Sequence, residues 1–190
     1  RVLVWGRHAD RAERAAAELA AQGLPATAIA NLDAGLAEAD IVSCATTARE
    51  PIVRGARVRA GTHVDLVGAF TPEMRESDDE LVARAEVFVD TYAGALKEAG
   101  DLVLPIGQGV IAREHVRAEL AELATGGHPG RRTRDEVTIG APADSSGDAP
   151  VFDGARTILG SKLVVTGSDP GDQASIDFAF VRTRLYEEEG

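Results

Sequence analysis

Short apolar runs alternate with helical patterns along the first 140 residues of the chain. The apolar run at 2–5 and the stretch at 40–46, which has no polar alternation, predict buried strands, because the strands of a parallel sheet are covered on both faces. Between them, alanines and a leucine recur at helical spacing over residues 9–21, and Gly23 ends that pattern. Further strands are predicted at 26–29, 62–67 and 86–90, and further helices at 32–39, 72–85, 91–99 and 110–124. This alternation predicts an α/β fold with a doubly wound, mostly parallel sheet of the Rossmann type.

The last fifty residues do not continue this alternation. Residues 141–150 are rich in Pro, Gly, Ser and Asp, which is typical of a linker. Short apolar pieces follow at 157–159 and 163–165, and the pattern over 176–186 fits a strand and a helix equally. We therefore predict a Rossmann-type domain over residues 1–139 and treat 140–190 as an unassigned tail.

Composition and charge exclude several classes of function. The formal net charge of −11 and the aromatic content of 4% argue against nucleic-acid binding, which needs a basic face and stacking platforms. No apolar run approaches the roughly 20 residues of a membrane-spanning helix, and these residues do not indicate secretion. Cys44 is the only cysteine and the histidines lack ligand spacing, so no disulfide and no metal site are expected. We expect a cytoplasmic protein.

Ligands of open parallel sheets bind at the carboxyl ends of the strands, where this sequence has small residues that allow close approach. An acid after the second strand of a dinucleotide site binds the 2′-hydroxyl of NAD, whereas a guanidinium matches the 2′-phosphate of NADP. Arg7 therefore favours NADP(H) over NAD(H), with a solvated loop arginine as the alternative. The candidate cofactor-binding residues at the strand ends are Gly6, Arg7, His8, Cys44, Ala45, Thr46, Thr47, Val67 and Gly68.

The glycine-rich loop that binds pyrophosphate is missing from the sequence. No G-x-G-x-x-G occurs, although such a loop should precede the strand at 2–5. The chain starts at Arg1, directly in a strand, so we expect a truncation. Three explanations of the tail stay open: a frameshifted end, a fused segment, or a permuted fold in which residues 163–174 replace the missing strand and its loop.

Nine stretches of the first 139 residues follow one another in the order of a known family. They are residues 2–7, 39–42, 45–51, 61–69, 75–76, 78–80, 99–101, 130–132 and 135–139. On these stretches the chain resembles the second half of the ornithine cyclodeaminase/μ-crystallin family. The resemblance implies a homodimer in which a Rossmann domain binding NAD(H) or NADP(H) accompanies a dimerisation and substrate domain. On this resemblance we expect the N-terminal domain and the first Rossmann strand to be missing from these 190 residues.

The residue after the Val-Gly-Ala turn distinguishes branches of that family. Cyclodeaminases carry a catalytic aspartate there, whereas this chain has Phe70, which cannot transfer protons. The sequence from Gly68 to Pro72 resembles the branch that reduces cyclic ketimines. That resemblance implies reduction of 1-pyrroline-2-carboxylate or 1-piperideine-2-carboxylate to proline or pipecolate, and Arg7 favours NADP(H) as the cofactor. Phe70 would form part of an apolar wall at the substrate, with a packing role before the helix at 72–85 as the alternative.

Three other functions stay open. They are an ornithine cyclodeaminase or amino-acid dehydrogenase, a non-catalytic NADPH-binding protein like μ-crystallin, and an inactive remnant. We assign no catalytic residue, and we expect no catalysis from this chain alone because it lacks the phosphate loop and the substrate domain. We interpret His63 as a packed or hydrogen-bonded residue and Cys44 as a small buried hydrophobe. We interpret the acids from Glu73 to Glu80 as a solvated helix face.

Overall fold

The computed structural model describes residues 1–141 and 178–181, which form one eight-stranded sheet with helices on both faces. The strands are β1 (Val2–Trp5), β2 (Ala26–Ala28), β3 (Ile41–Ala45), β4 (His63–Leu66), β5 (Glu86–Val89), β6 (Val116–Glu119), β7 (Thr138–Ala141) and β8 (Phe178–Val181). The α-helices are α1 (Ala9–Ala21), α2 (Leu32–Glu38), α3 (Asp79–Arg84), α4 (Tyr92–Glu98), α5 (Gly100–Gly107) and α6 (Leu120–Ala124). The predicted α/β, Rossmann-type architecture is confirmed.

The strands lie in the order β2-β1-β8-β3-β4-β7-β5-β6. Every pairing is parallel except the two made by β8, which runs antiparallel between β1 and β3. The parallel strands therefore all end on one side of the sheet, which we call the carboxyl edge. β3 and β4 are direct neighbours there, with Cys44 opposite Leu66.

Alternate residues of β1 point to opposite faces and show how the sheet is covered. Val2 and Val4 pack against Ala12 and Ala16 of α1. Leu3 belongs to the larger core on the other face, where leucines and valines of α2, α3 and α5 pack against β3, β4, β5 and β7. None of the helices in the described ranges is both long enough and apolar enough to span a membrane.

The helix predicted at 72–85 is wrong over its first half. Asp78 ends an extended segment and caps α3 by accepting a hydrogen bond from the Leu81 amide at 2.9 Å. The segment before it pairs with the chain at 52–53, where Ser77 forms a parallel bridge with Val53. These tertiary hydrogen bonds replace the helical ones, so the helix begins only at Asp79.

The helix predicted at 110–124 is wrong over residues 110–119, which hold a 3-10 turn at Arg113–His115 and the strand β6, and its end is confirmed by α6. β6 pairs with β5, and sheet pairing outweighs the local helical spacing. α5 was not predicted, because its Pro105 and continuous apolar content hide the helical period. In the tail, the segment at 176–186 contributes the strand β8, whereas residues 163–174 lie outside the described residues.

Candidate functional site

The carboxyl edge brings most of the predicted site residues to one side of the sheet. β1 is followed by Gly6 and Arg7, β3 by Thr46, and β4 by Val67 and Gly68. The ends of β3 and β4 are in direct contact, because the Val67 amide donates to the Cys44 carbonyl at 2.8 Å. The end of β1 is separated from them by the width of β8.

Exposure divides the predicted site residues into two groups. Arg7, His8, Thr47 and Phe70 are exposed, and Gly6, Ala45 and Val67 are half-buried. Cys44, Thr46 and Gly68 are buried, and Cys44 belongs to the core cluster, which agrees with its interpretation as a small buried hydrophobe. A ligand at this edge would therefore meet side chains after β1 and at residue 70, and mainly backbone at the ends of β3 and β4.

A buried carboxylate joins the ends of β3 and β4. One oxygen of Glu76 accepts a hydrogen bond from the Thr46 amide at 2.6 Å, and the other accepts from the Gly68 amide at 2.8 Å. Glu76 is fully buried, so the interpretation of this acidic stretch as a solvated helix face is wrong for this residue. Glu76 is a site residue that the sequence interpretation missed, although it lies in a stretch that carries the family resemblance.

Backbone pairing turns Glu76 inward. Its carbonyl oxygen accepts hydrogen bonds from the Ile52 and Val53 amides at 2.9 and 2.8 Å. The neighbouring Arg75 amide donates to the Ala48 carbonyl at 2.8 Å. These bonds hold the segment 75–77 against the loop that follows β3, so the Glu76 side chain points into the sheet edge.

A second buried acid supports the same segment. Asp101, in the first turn of α5, accepts from the amides of Glu76 and Ser77 at 3.0 and 2.7 Å and from the Ser77 hydroxyl at 2.6 Å. The sequence pattern alone predicts no role for Asp101, which lies in the stretch 99–101 that also carries the family resemblance. It fixes the backbone from which Glu76 projects.

Burial makes both acids harder to ionise. Burial and, to a smaller extent, the nearby Asp101 carboxylate raise the pKa of Glu76 to about 7, against the lowering effect of its hydrogen bonds to Thr46 and Gly68. Burial also raises the pKa of Asp101 to about 6, against the lowering effect of its bonds to Ser77 and Glu76. The two acids therefore titrate in the neutral range.

The end of β4 has no room for a side chain at residue 68. A Cβ on Gly68 would lie 2.0 Å from the Thr46 carbonyl oxygen and 2.4 Å from a Glu76 oxygen. Two residues later the chain reaches the surface: the Ala69 carbonyl accepts from the Gly100 amide at 3.1 Å, and Phe70 is 37% exposed. The alternative role predicted for Phe70 is packing before a helix that begins at Pro72. The structure has no helix start there, since α3 begins only at Asp79.

His63 lies at the opposite end of β4, away from this edge. Its Nδ1 forms a hydrogen bond with the Thr138 hydroxyl at 2.8 Å, as its interpretation as a hydrogen-bonded residue predicts. Burial and the nearby Arg131 lower the pKa of His63 to about 4, so the imidazole is neutral. Within residues 1–141 and 178–181, no cluster of three His, Cys, Asp or Glu side chains could bind a metal ion.

The carboxyl edge offers a cationic side chain and a backbone surface. Arg7 after β1 is exposed, and a guanidinium can donate to an anionic group, whereas the Thr46 and Gly68 amides already donate to Glu76. The turn from β1 into α1 lies at the same edge, and its N-cap residue His8 makes no side-chain hydrogen bond to the first helical amides.

Comparison with known proteins gives consistent matches. The family model described as the ornithine cyclodeaminase/mu-crystallin family matches residues 1–149. The Delta(1)-pyrroline-2-carboxylate reductase of Paracoccus denitrificans is 45% identical over 139 residues, which are 73% of this chain and 44% of that protein. The ketimine reductase mu-crystallin of Rattus norvegicus is 35% identical over 128 residues, covering 67% of this chain and 38% of the relative.

Solved structures agree with these sequence matches. The Delta(1)-pyrroline-2-carboxylate reductase of Thermococcus litoralis, in complex with NADH and L-proline, superposes with a TM-score of 0.73 at 35% identity. It covers 75% of this chain, and the chain covers 44% of it. The iminosuccinate reductase of Paracoccus denitrificans with NAD+ gives a TM-score of 0.67 at 34% identity, covering 74% of this chain and 42% of that one. The chain thus spans less than half the length of these relatives.

Proposed function

The chain belongs to the ornithine cyclodeaminase/mu-crystallin family, and we propose that the protein carrying it reduces cyclic imino acids with a nicotinamide cofactor. The observation that carries this proposal is Phe70, exposed at the carboxyl edge directly after the turn that ends β4. A phenyl ring at this position cannot serve as a proton-transferring group. Reductases of pyrroline-2-carboxylate among the relatives support the same chemistry.

An imine is already a strong electrophile when protonated, so this chain has little chemistry to supply. The cofactor, when bound, supplies the hydride. The backbone at Thr46 and Gly68 orients the reacting ring, and Phe70 excludes water from the face on which the imino acid lies. Gly6, Arg7 and His8 bind the adenosine end, and Ala45, Thr47 and Val67 border the cleft between the two ends.

The cofactor in this proposal is NADP(H), because an exposed guanidinium follows β1 where NAD-specific sites carry an acid. The substrates are 1-pyrroline-2-carboxylate and 1-piperideine-2-carboxylate, and the products are proline and pipecolate. We further propose that the complete protein is a cytoplasmic homodimer, with residues 1–139 as part of its nucleotide-binding domain. The strand β8, from the otherwise unassigned tail at 140–190, joins the sheet of that domain.

A direct assay tests this function. The complete gene product and the 190-residue chain are each titrated with NADPH and NADH, and oxidation of either nucleotide is followed with both cyclic imines. We expect binding of NADPH by both proteins and turnover by the complete product only. Release of ammonia from ornithine would identify a cyclodeaminase instead, and nucleotide binding without turnover by the complete product would identify a non-catalytic binding protein.

A further inference from the structure

The Glu76 carboxylate is placed between two backbone amides that belong to different strands. Its oxygens accept from Thr46 at the end of β3 and from Gly68 at the end of β4, at 2.6 and 2.8 Å. Both amides are buried, and charge-assisted hydrogen bonds of this kind are about twice as strong as neutral ones. The side chain therefore fixes the spacing of the two strand ends beyond the last sheet hydrogen bonds.

Hydrogen bonds from other parts of the chain fix the backbone segment that carries the Glu76 carboxylate. Asp101 accepts from the Glu76 and Ser77 amides, and the Glu76 carbonyl accepts from Ile52 and Val53. Two elements thus converge on the segment that carries the carboxylate: the loop after β3 and the helix α5. Such a set of bonds leaves the Glu76 side chain little freedom, so it can act as a rigid spacer.

We propose that Glu76 is the positioning residue of the cofactor cleft, holding the ends of β3 and β4 at the separation that the cofactor ring requires. This inference rests on the proposed function, since it assumes that residues 46 and 68 border the bound cofactor. Glu76 touches neither cofactor nor substrate in this proposal. It acts through the two amides, and its loss widens the cleft without removing any group that contacts the ligand.

The spacer depends on the charge of Glu76. Protonation turns one acceptor oxygen into a hydroxyl, so one of the two amides loses a strong acceptor. The ionisable groups around it are the Asp101 carboxylate, which raises its pKa, and the Cys44 thiol, whose own pKa burial raises so that it stays neutral. Asp65 acts on Cys44, and Arg75 favours the charged form of Asp101. Because the pKa of Glu76 is about 7, we expect the cleft to loosen as the pH falls below neutrality.

The anchor can be tested without any ligand. Amide proton shifts of Thr46 and Gly68 are followed by NMR from about pH 5.5 to about pH 8.5 in the full 190-residue chain. We expect both signals to move with one shared midpoint near 7 in the wild type and to stay flat in Glu76→Gln. Glu73→Gln, an exposed acid of the same loop, serves as the control and should titrate like the wild type. If the Thr46 and Gly68 amide signals of the wild type do not titrate, the proposed role of Glu76 is refuted. This test needs only the wild type, so it holds even if neither variant folds.

Nucleotide binding then tests the positioning role. At about pH 8.5 we expect Glu76→Gln to bind NADPH about tenfold more weakly than the wild type, because one buried amide faces a donor instead of an acceptor. At about pH 5.5 the difference should shrink to about twofold, because the wild type has lost its own anion. A merely structural role would give a difference that does not change with pH, and that result refutes the proposal. A wild type whose amides titrate but which binds neither NADPH nor NADH rejects the proposed function and leaves the anchor intact.

Discussion

Substituting Gly68 by alanine changes the crowded point where β3 and β4 meet. The added Cβ would lie 2.0 Å from the Thr46 carbonyl oxygen and 2.4 Å from both the Thr46 amide nitrogen and a Glu76 oxygen. Two of these three neighbours are backbone atoms of an adjacent strand end, which cannot rotate out of the way. The strand ends must therefore separate by about 1.4 Å before the contact with the Thr46 carbonyl oxygen reaches an ordinary distance.

The cost follows from two physical effects. Overpacking a well-packed site costs about 1–3 kcal/mol. Separating the strand ends also breaks the hydrogen bond from the Gly68 amide to Glu76, and an unsatisfied buried group costs about 1–3 kcal/mol. We therefore expect Gly68→Ala to lower the free energy of unfolding by about 2–6 kcal/mol, a large share of the roughly 5–15 kcal/mol that a domain has.

Urea unfolding measures this change through the fluorescence of Trp5, the only tryptophan, which lies half-buried at the end of β1. Gly107→Ala is the matched control, because a Cβ there meets nothing within 4 Å and the residue ends a helix. It should leave stability unchanged or raise it by up to about 1 kcal/mol. A Gly68→Ala variant within about 1 kcal/mol of the wild type would refute the close approach of the two strand ends.

Three further changes test other parts of the structure. Burial raises the pKa of Asp65 to about 7 in the folded chain. The Asp65 carboxyl of the unfolded chain therefore ionises at a lower pH than that of the folded chain, and the free energy of unfolding should fall as the pH rises from about 4 to about 7. Asp65→Asn should reduce that fall in urea titrations at stepped pH, and an unchanged slope would contradict it. Arg7→Ala should weaken NADPH binding at least tenfold and leave NADH binding unchanged, as measured by calorimetry. Arg14→Ala, at an exposed arginine of α1, is the control. Equal losses of affinity for both nucleotides would argue against a 2′-phosphate contact. Phe180→Pro removes a backbone donor from the middle of β8 and should cost about 1–3 kcal/mol in urea unfolding, whereas an unaffected midpoint would speak against β8 as an inner strand.

The hydrophobic pattern predicts most of the sheet because parallel strands and amphipathic helices carry strong periodic signals. Burial of a charged residue carries no such signal. Glu76 lies in a run of acidic residues, and such a composition predicts a solvent-exposed segment. Only its hydrogen bonds to the distant Thr46 and Gly68 amides show that its side chain is buried. The same holds for Asp101, whose partners are 24 and 25 residues away along the chain. Contacts of this range are set by the tertiary fold, so local sequence cannot reveal them.

The position of β8 bears on how the cleft would bind a dinucleotide. In the strand order typical of dinucleotide-binding sheets, the place between β1 and β3 belongs to the strand whose carboxyl end carries the phosphate loop. β8 fills that place but runs antiparallel, so its carboxyl end lies at the opposite edge from the predicted site. β8 therefore brings no carboxyl-end amides to the carboxyl edge, where the parallel strands end. The pair held by Glu76 is the part of that edge with the most hydrogen-bonded support, so the geometry of residues 46 and 68 should have a large effect on cofactor affinity in this chain.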